Sequence, residues 1–222
     1  MWRGDLDTGF SPGDFLSVLS PDELERASRF HFERDRRHYQ CARGLLRVIL
    51  ARYLKLPPGS LRFSYGSHGK PALAGTELRF NLSHSGGLAL LAVAGGGEVG
   101  VDIEQVKPRG EVMNIAERFF SPGEIVWLRA QPPDLQQRGF FRLWTRKEAL
   151  IKAVGLGLSM PLNRFSALAE PPSAVRPASQ GPDWYIFDLD PGAGYTGAVA
   201  VAIRNCRTMT FDCHREVLRE MA

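Results

Sequence analysis

Apolar residues along the chain follow two different periods, which predict helices that are each followed by strands. Over residues 34–54 and 138–154, apolar side chains recur at intervals of three and four, which places them on one face of a helix. The apolar runs at 88–94 and 98–104 have the length and glycine borders of strands, and the three glycines between them predict a hairpin. Further strands are expected at 61–66, 77–83, 184–190 and 197–203, and a loose tail is expected at 211–222.

The same order of elements occurs twice. A capping box, in which a serine is followed by proline and then by glutamate three residues after the serine, begins at Ser20 and again at Ser121. The tripeptide Arg-Phe-Ser ends at Ser64 and again at Ser166, so the two matches are similarly spaced. This repetition predicts an α+β fold of two similar halves, at residues 1–106 and 107–222.

One predicted strand carries two acidic side chains on a single face. Successive strand residues point to opposite faces, so Asp102 and Glu104 lie together, and Val101 and Ile103 lie on the other side. Two neighbouring carboxylates repel and raise each other's pKa unless a cation is nearby. The pattern therefore indicates either a cation site or an ordinary solvated strand face.

The second long helix places a charged pair beside its apolar stripe. Glu148 and Lys152 are four residues apart and are neighbours on the helix surface, next to Trp144. They could form a surface ion pair of small energetic effect, or they could lie at the rim of the core, where sites form.

The first long helix carries a basic stripe. Arg36, Arg43 and Arg47 fall on one face at helical spacing. This face could contact phosphates, steer an acidic partner, or simply be solvated.

The composition narrows the class of protein. Hydrophobic residues make up 44% and charged residues 23%, as in ordinary globular proteins, and the net charge of +4 suits an anionic ligand. Three scattered cysteines form neither a disulfide framework nor a zinc site. The chain has no apolar signal core and no long apolar run, so we expect a cytoplasmic protein that does not contact membranes. Gly69-Lys70 is followed by proline, which argues against a phosphate-binding P-loop.

Five motifs in one order resemble those of a known family. The stretches G-V-D-I-E (100–104) and W-T-R-K-E-A-L-I-K (144–152) closely resemble the two signature motifs of the 4′-phosphopantetheinyl transferases. The stretches at 69–71, 80–86 and 118–124 are similar to its other landmarks. The resemblance is to the long, single-chain, surfactin-synthetase-activating branch. It implies two copies of an α+β unit about a pseudo-twofold axis, a cleft between them, and a monomer.

The resemblance also implies a reaction. Coenzyme A would bind in the cleft, and a serine of an apo acyl or peptidyl carrier protein would attack the β-phosphorus of its pyrophosphate. The phosphopantetheine arm would move to the serine and 3′,5′-ADP would leave. Such carriers serve fatty-acid, polyketide and nonribosomal peptide synthesis, and the sequence does not select among them.

The family's site residues can be placed on this chain. The resemblance implies Mg²⁺, with Mn²⁺ as an alternative ion, held by Asp102, Glu104 and Glu148, and such hard cations prefer oxygen ligands. Glu148 would accept the serine proton, directly or through water, and Lys152 would neutralise phosphate charge. Glu124 matches a family acid but also completes a capping box, and we favour the cap. The implied coenzyme A residues are Arg34, Lys70, Pro71, Ser83 and His84, together with Asp102, Glu148 and Lys152.

Three other classes of function remain as alternatives. A non-catalytic binding module on the same scaffold is disfavoured because all the charged site residues are present. A Mg²⁺-dependent phosphodiesterase could use the same acids but does not explain the other motifs. A nucleic-acid binder would be expected to show a basic and aromatic cluster, and none is found, so we expect no nucleic-acid partner.

Overall fold

The computed structural model describes residues 1–108, 112–169, 173–175 and 182–215. The fold is α+β, as the sequence predicted. Within these residues the helices are α1 (Pro21–Ser28), α2 (Glu33–Leu54), α3 (Val112–Phe119), α4 (Pro122–Arg129) and α5 (Pro133–Val154). The strands are β1 (Trp2–Asp5), β2 (Phe63–Tyr65), β3 (Pro71–Leu73), β4 (Arg79–Ser85), β5 (Leu88–Ala94), β6 (Val99–Gln105), β7 (Ser173–Val175), β8 (Trp184–Leu189), β9 (Tyr195–Val201) and β10 (Phe211–Cys213).

The strands form two four-stranded sheets with related topology. Their orders are β10-β1-β5-β4 and β6-β9-β8-β7, and β2 and β3 make a separate small sheet. In the first sheet, β5 pairs antiparallel with both β1 and β4. In the second sheet, β9 pairs antiparallel with both β6 and β8 in the same way. The chain therefore contains two similar units. The first unit consists of β1, α1, α2, β4 and β5, and the second repeats this order as β6, α4, α5, β8 and β9.

The prediction of a hairpin between β5 and β6 is wrong. Both edges of β5 are occupied, by β1 and by β4, so β6 cannot pair with it and pairs with β9 instead. Strand β6 therefore begins the second sheet. A division of domains between residues 106 and 107 stays a prediction, but in hydrogen bonding β6 belongs with the strands that follow it.

The prediction of a loose tail at 211–222 is also wrong for the part of it that the structure describes. Residues Phe211–Cys213 form β10, which runs parallel to β1 and places Phe211 opposite Trp2. Arg3 Nε donates to Asp212 Oδ1 at 2.6 Å. Strand β5 covers only one edge of β1, and β10 satisfies the backbone groups of the other. Residues 216–222 lie outside the described residues.

Two members of the predicted basic stripe on α2 are buried. Arg47 is only 1% exposed and Arg43 is 7% exposed. Arg43 Nε donates to Glu23 Oε1 at 2.7 Å, and Arg47 Nε donates to Glu23 Oε2 at 2.6 Å. Glu23 caps α1, where its buried carboxylate needs a positive partner. Arg36 remains partly exposed and pairs with Glu33 of the same helix.

The same buried arrangement recurs in the second unit. Glu124 completes the capping box of α4, as expected, and Lys147 Nζ lies 2.8 Å from its Oε2. Lys147 also donates to the carbonyls of Leu162 and Phe165, at 2.7 and 2.8 Å. Arg47 makes the matching contact with the Leu61 carbonyl at 3.1 Å. The repeat is therefore one of side-chain contacts as well as strand order.

Candidate functional site

The two large sheets face each other through their edge strands β4 and β6, which are joined by side chains. Asn81 Oδ1 accepts a hydrogen bond from the Val101 amide at 2.8 Å. Ser85 Oγ accepts one from the Gln105 amide at 3.1 Å. Asn81, Ser83 and Ser85 alternate along β4 and so share one face, and we call these three residues the polar seam.

At the centre of the polar seam lies Asp102. Ser83 Oγ donates to Asp102 Oδ1 at 3.0 Å, and Lys152 Nζ lies 2.6 Å from the same oxygen and 3.0 Å from Ser83 Oγ. Asp102 is 3% exposed, and its Oδ2 has no hydrogen-bond partner among the described residues. Burial raises the pKa of Asp102, and the charge of Lys152 opposes that rise.

Helix α5 reaches this point because it crosses β6 at a glycine. A Cβ on Gly100 would lie 2.1 Å from the Ala149 carbonyl oxygen and 2.2 Å from the Ala153 nitrogen. Such distances leave no room for any side chain. The close crossing places Glu148 and Lys152 of α5 over the acidic face of β6.

Glu148 is half-buried and lies within the field of the strand carboxylates. Its pKa is raised by burial first and then by the charge of Asp102; Lys152 opposes the rise and Glu104 adds to it. Glu104 is held by Ser85, whose Oγ donates to its Oε2 at 2.8 Å. The structure therefore brings all three predicted acids into one electrostatic environment.

The three acids have the chemistry of a divalent-cation site, although their side chains are not yet gathered around one point. In the described part of the chain, no three His, Cys, Asp or Glu side chains are already grouped closely enough to hold a metal ion. The donor set is nevertheless suitable, since the charges of Asp102 and Glu104 raise the pKa of Glu148 and the buried Oδ2 of Asp102 has no partner among the described residues.

Most of the residues expected to bind coenzyme A, all but Ser83 and Asp102, line two cavities beside β4. A cavity of about 300 Å³ is lined by Lys70 and Pro71 together with Glu148 and Lys152. A second cavity, of about 500 Å³, is lined by residues that include Arg34, His84, Asp7 and His38.

Lys70 is already engaged within the protein. Its Nζ donates to Glu98 Oε2 at 2.9 Å, to the Val99 carbonyl at 3.2 Å and to the Ala153 carbonyl at 3.0 Å. These contacts tie the start of β3 to β6 and to the end of α5. A phosphate contact by Lys70 would have to replace some of them.

Arg34 and His84 are more accessible. The Arg34 side chain is 73% exposed and its Nη2 lies 3.2 Å from Asp35 Oδ1. The His84 ring reaches solvent, yet the surrounding protein lowers its pKa, and the charges of His38 and Lys152 lower it further.

Sequence reasoning missed several residues of the site. His38 Nε2 lies 2.7 Å from Asp7 Oδ1 at the wall of the larger cavity. The two residues are 31 positions apart, and a local sequence pattern cannot predict such a contact. Asn81 and Ser85 were missed as well. The alternation of polar residues along β4 was the signal that could have found them.

Comparison with known proteins places the chain in a family. The model of the 4′-phosphopantetheinyl transferase superfamily matches residues 98–200, and that of the 4′-phosphopantetheinyl transferase N-terminal region matches residues 13–95. The 4′-phosphopantetheinyl transferase HetI of Nostoc sp. is 42% identical over 91% of this chain and 86% of its own length. The 4′-phosphopantetheinyl transferase Sfp of Bacillus subtilis is 35% identical over 85% of this chain and 84% of its own.

The matches agree with the fold and with the motifs. The two family models meet in the segment between β5 and β6, where one sheet ends and the other begins. Among the described residues, every helix is too short or too polar to span a lipid bilayer. The chain belongs to the 4′-phosphopantetheinyl transferase superfamily, and it is a transferase of that kind.

Proposed function

We propose that the site around Asp102 transfers the phosphopantetheine arm of coenzyme A to a serine of an apo acyl or peptidyl carrier protein, with Mg²⁺ as the metal ion. The observation that carries this proposal is the position of Asp102. A buried carboxylate bonded to Lys152 and Ser83, beside a second acid of raised pKa, lies where the two sheets meet.

Glu148 is the proposed proton acceptor. The serine hydroxyl of the carrier attacks the β-phosphorus of coenzyme A, a new oxygen–phosphorus bond forms, and the bond to 3′,5′-ADP breaks. Glu148 takes the hydroxyl proton, directly or through water, and its raised pKa makes it a stronger proton acceptor than an ordinary glutamate. Lys152 offsets negative charge on the transferring phosphate and on the leaving group.

Asp102, Glu104 and Glu148 are the proposed ligands of the cation. When bound, Mg²⁺ or Mn²⁺ would neutralise pyrophosphate charge. The residues proposed to contact coenzyme A are Arg34, Lys70, Pro71, Ser83 and His84. The two cavities beside β4 support this placement for all of them except Ser83, which is supported by its hydrogen bonds with Asp102 and Lys152.

We also propose that the enzyme is a cytoplasmic monomer with no nucleic-acid partner. Both walls of the site, the polar seam on β4 and the acids on β6, come from one chain. The cysteines are free thiols in the structure, in keeping with a reducing compartment.

The test is to incubate the protein with Mg²⁺, coenzyme A and an apo carrier protein, and to weigh the carrier by mass spectrometry. The carrier should gain one phosphopantetheine, and Asp102→Asn should abolish the gain. Hydrolysis of coenzyme A with no change in the carrier would favour a phosphodiesterase. Binding of coenzyme A with neither reaction would favour a non-catalytic module.

A further inference from the structure

Two buried oxygen atoms in the described residues lack any hydrogen-bond partner: Asp102 Oδ2 and Thr196 Oγ1. Thr196 is 8% exposed, so its hydroxyl has little access to bulk water. A buried polar group without a partner is costly, and in native structures most such groups are satisfied. Thr196 lies one residue before the strand predicted at 197–203, and sequence reasoning did not single it out; in the structure it is the second residue of β9.

The strand register relates these two atoms. Thr196 of β9 lies directly opposite Glu104 of β6, and Ala198 lies opposite Asp102. Side chains of directly opposed residues project from the same face of a sheet, about 5 Å apart at Cβ. Thr196 therefore shares a face with both acids of β6.

That face is the one covered by α5. Gly100, two residues before Asp102 on the same face, is the point at which α5 touches β6. Glu148 of α5 interacts electrostatically with Asp102 and Glu104. The Thr196 hydroxyl thus lies on the same buried face as the three proposed cation ligands.

We propose that Thr196 is a positioning residue of the cation site, and that its hydroxyl accepts a hydrogen bond from a water molecule bound to the cation. This inference rests on the proposed function. Magnesium keeps several of its waters when it binds to proteins, and those waters need acceptors. A hydroxyl supplies one without adding a fourth negative charge to three carboxylates. Ser85 supports Glu104 from β4, and Thr196 flanks it from β9.

The test compares Thr196→Val, which has nearly the same shape but no hydroxyl, with Thr196→Ser, which keeps it. Mn²⁺ binding to the full chain is measured by calorimetry, without coenzyme A. Loss of a group that supports metal ligands typically costs at least about 10-fold in metal affinity, so we expect the Kd for Mn²⁺ to rise by that factor in Thr196→Val. Thr196→Ser should stay near the wild-type value.

Thr145→Val is the matched control. Thr145 is fully buried, but its Oγ1 donates to the Arg142 carbonyl at 3.1 Å, so its hydroxyl is already satisfied. This variant should bind Mn²⁺ like the wild type. Thermal unfolding in EDTA gives a second readout: Thr196→Val should be as stable as the wild type or more stable, because the unpartnered hydroxyl is gone.

The outcomes separate this inference from the proposed function. If Thr196→Val binds Mn²⁺ as tightly as the wild type, or is destabilised in EDTA, the hydroxyl has only a structural partner and the inference is wrong. If the wild type transfers phosphopantetheine normally in that case, the proposed function stands. If the wild type binds no Mn²⁺ and needs no divalent cation, the metal assignment and the inference both fail.

Discussion

Burial raises the pKa of two carboxyl groups of the proposed site, and like charge adds to the rise at one of them. Both Asp102 and Glu148 have pKa values raised first by burial, and the charge of Asp102 adds to the rise at Glu148. An acid whose pKa is higher in the folded state than in the unfolded state binds protons more tightly when folded. The free energy of unfolding therefore falls as pH rises from the unfolded pKa through the folded one.

Glu148→Gln should separate activity from stability. The amide cannot ionise, so the variant should escape the loss of stability that wild-type Glu148 causes above its ordinary pKa of 4.5. Its melting temperature relative to wild type should therefore be higher at pH 8 than at pH 5, measured in EDTA. Transfer should fall about 100-fold or more, because the proposed proton acceptor is lost.

Two results would contradict this account of Glu148. One is a difference in melting temperature that does not change between the two pH values, which would mean that the Glu148 pKa is not raised. The other is near-wild-type turnover by Glu148→Gln at saturating coenzyme A and carrier, which would remove it as proton acceptor.

Which site residues could be predicted depends on how local their signals are. The period of a strand places Asp102 beside Glu104, and that of a helix places Glu148 beside Lys152, so these pairs could be predicted from spacing alone. The seam contacts of Asn81 and the position of Thr196 depend on neighbours in other strands. No periodicity in one segment can supply such neighbours.

At the scale of elements, the contact between α5 and β6 determines how far apart the charged side chains of the proposed site lie. Strand β6 provides two acids and α5 provides one acid and one lysine, and their relative position depends on the close approach at Gly100. The small residues Ala149 and Ala153 on the facing side of α5 are fully buried. A helix this close to a strand transmits any change in spacing directly to the four charged groups.

Gly100→Ala should therefore damage both stability and transfer. Its Cβ would meet backbone atoms of α5, which cannot turn aside as a flexible side chain could. Overpacking of this kind costs about 2 kcal/mol. The control is Gly96→Ala, where an added Cβ meets nothing within 4 Å. Urea unfolding and the transfer assay should place Gly96→Ala near wild type; equal behaviour of the two variants would show that α5 can move away freely.

The repeated capping glutamates support a second prediction at this scale. Lys147 and Glu124 are fully buried and 2.8 Å apart, so Lys147→Met would leave Glu124 as an unpaired buried charge. Breaking one partner of a buried pair costs about 3 kcal/mol or more. We expect Lys147→Met to lower the free energy of unfolding by that amount, and Lys147→Met with Glu124→Gln to recover part of it. A double variant no more stable than the single one would contradict the pairing.

The order of helices and strands could be predicted from sequence, but their pairing could not. The two long helices agree with prediction within a few residues; α5 starts earlier, at Pro133, because a proline fits the first helical position. The prediction of a hairpin between β5 and β6 failed because a glycine-rich turn indicates only that two successive strands can pair with each other. The turn gives no information about β1, which comes from the start of the chain and occupies the edge of β5 that β6 would need.

At the scale of the molecule, both sides of the proposed site come from a single chain. The first unit supplies the polar seam and His84, and the second supplies the acids and Lys152. Strand β10 crosses back to pair with β1, so the end of the described chain is joined to the first sheet. A second copy is not needed to form either wall.

We therefore expect a monomer in which each chain acts alone. Light scattering at micromolar concentration should give a mass near 24.7 kDa. A functional test is sharper: His84→Ala and Glu148→Gln remove groups contributed by different units, and each should be inactive or nearly so. If the cleft lies within one chain, a mixture of the two variants should show only the sum of their residual rates. If the cleft formed between two chains, mixed pairs would contain one intact site, and activity would return on mixing, which would overturn the monomer.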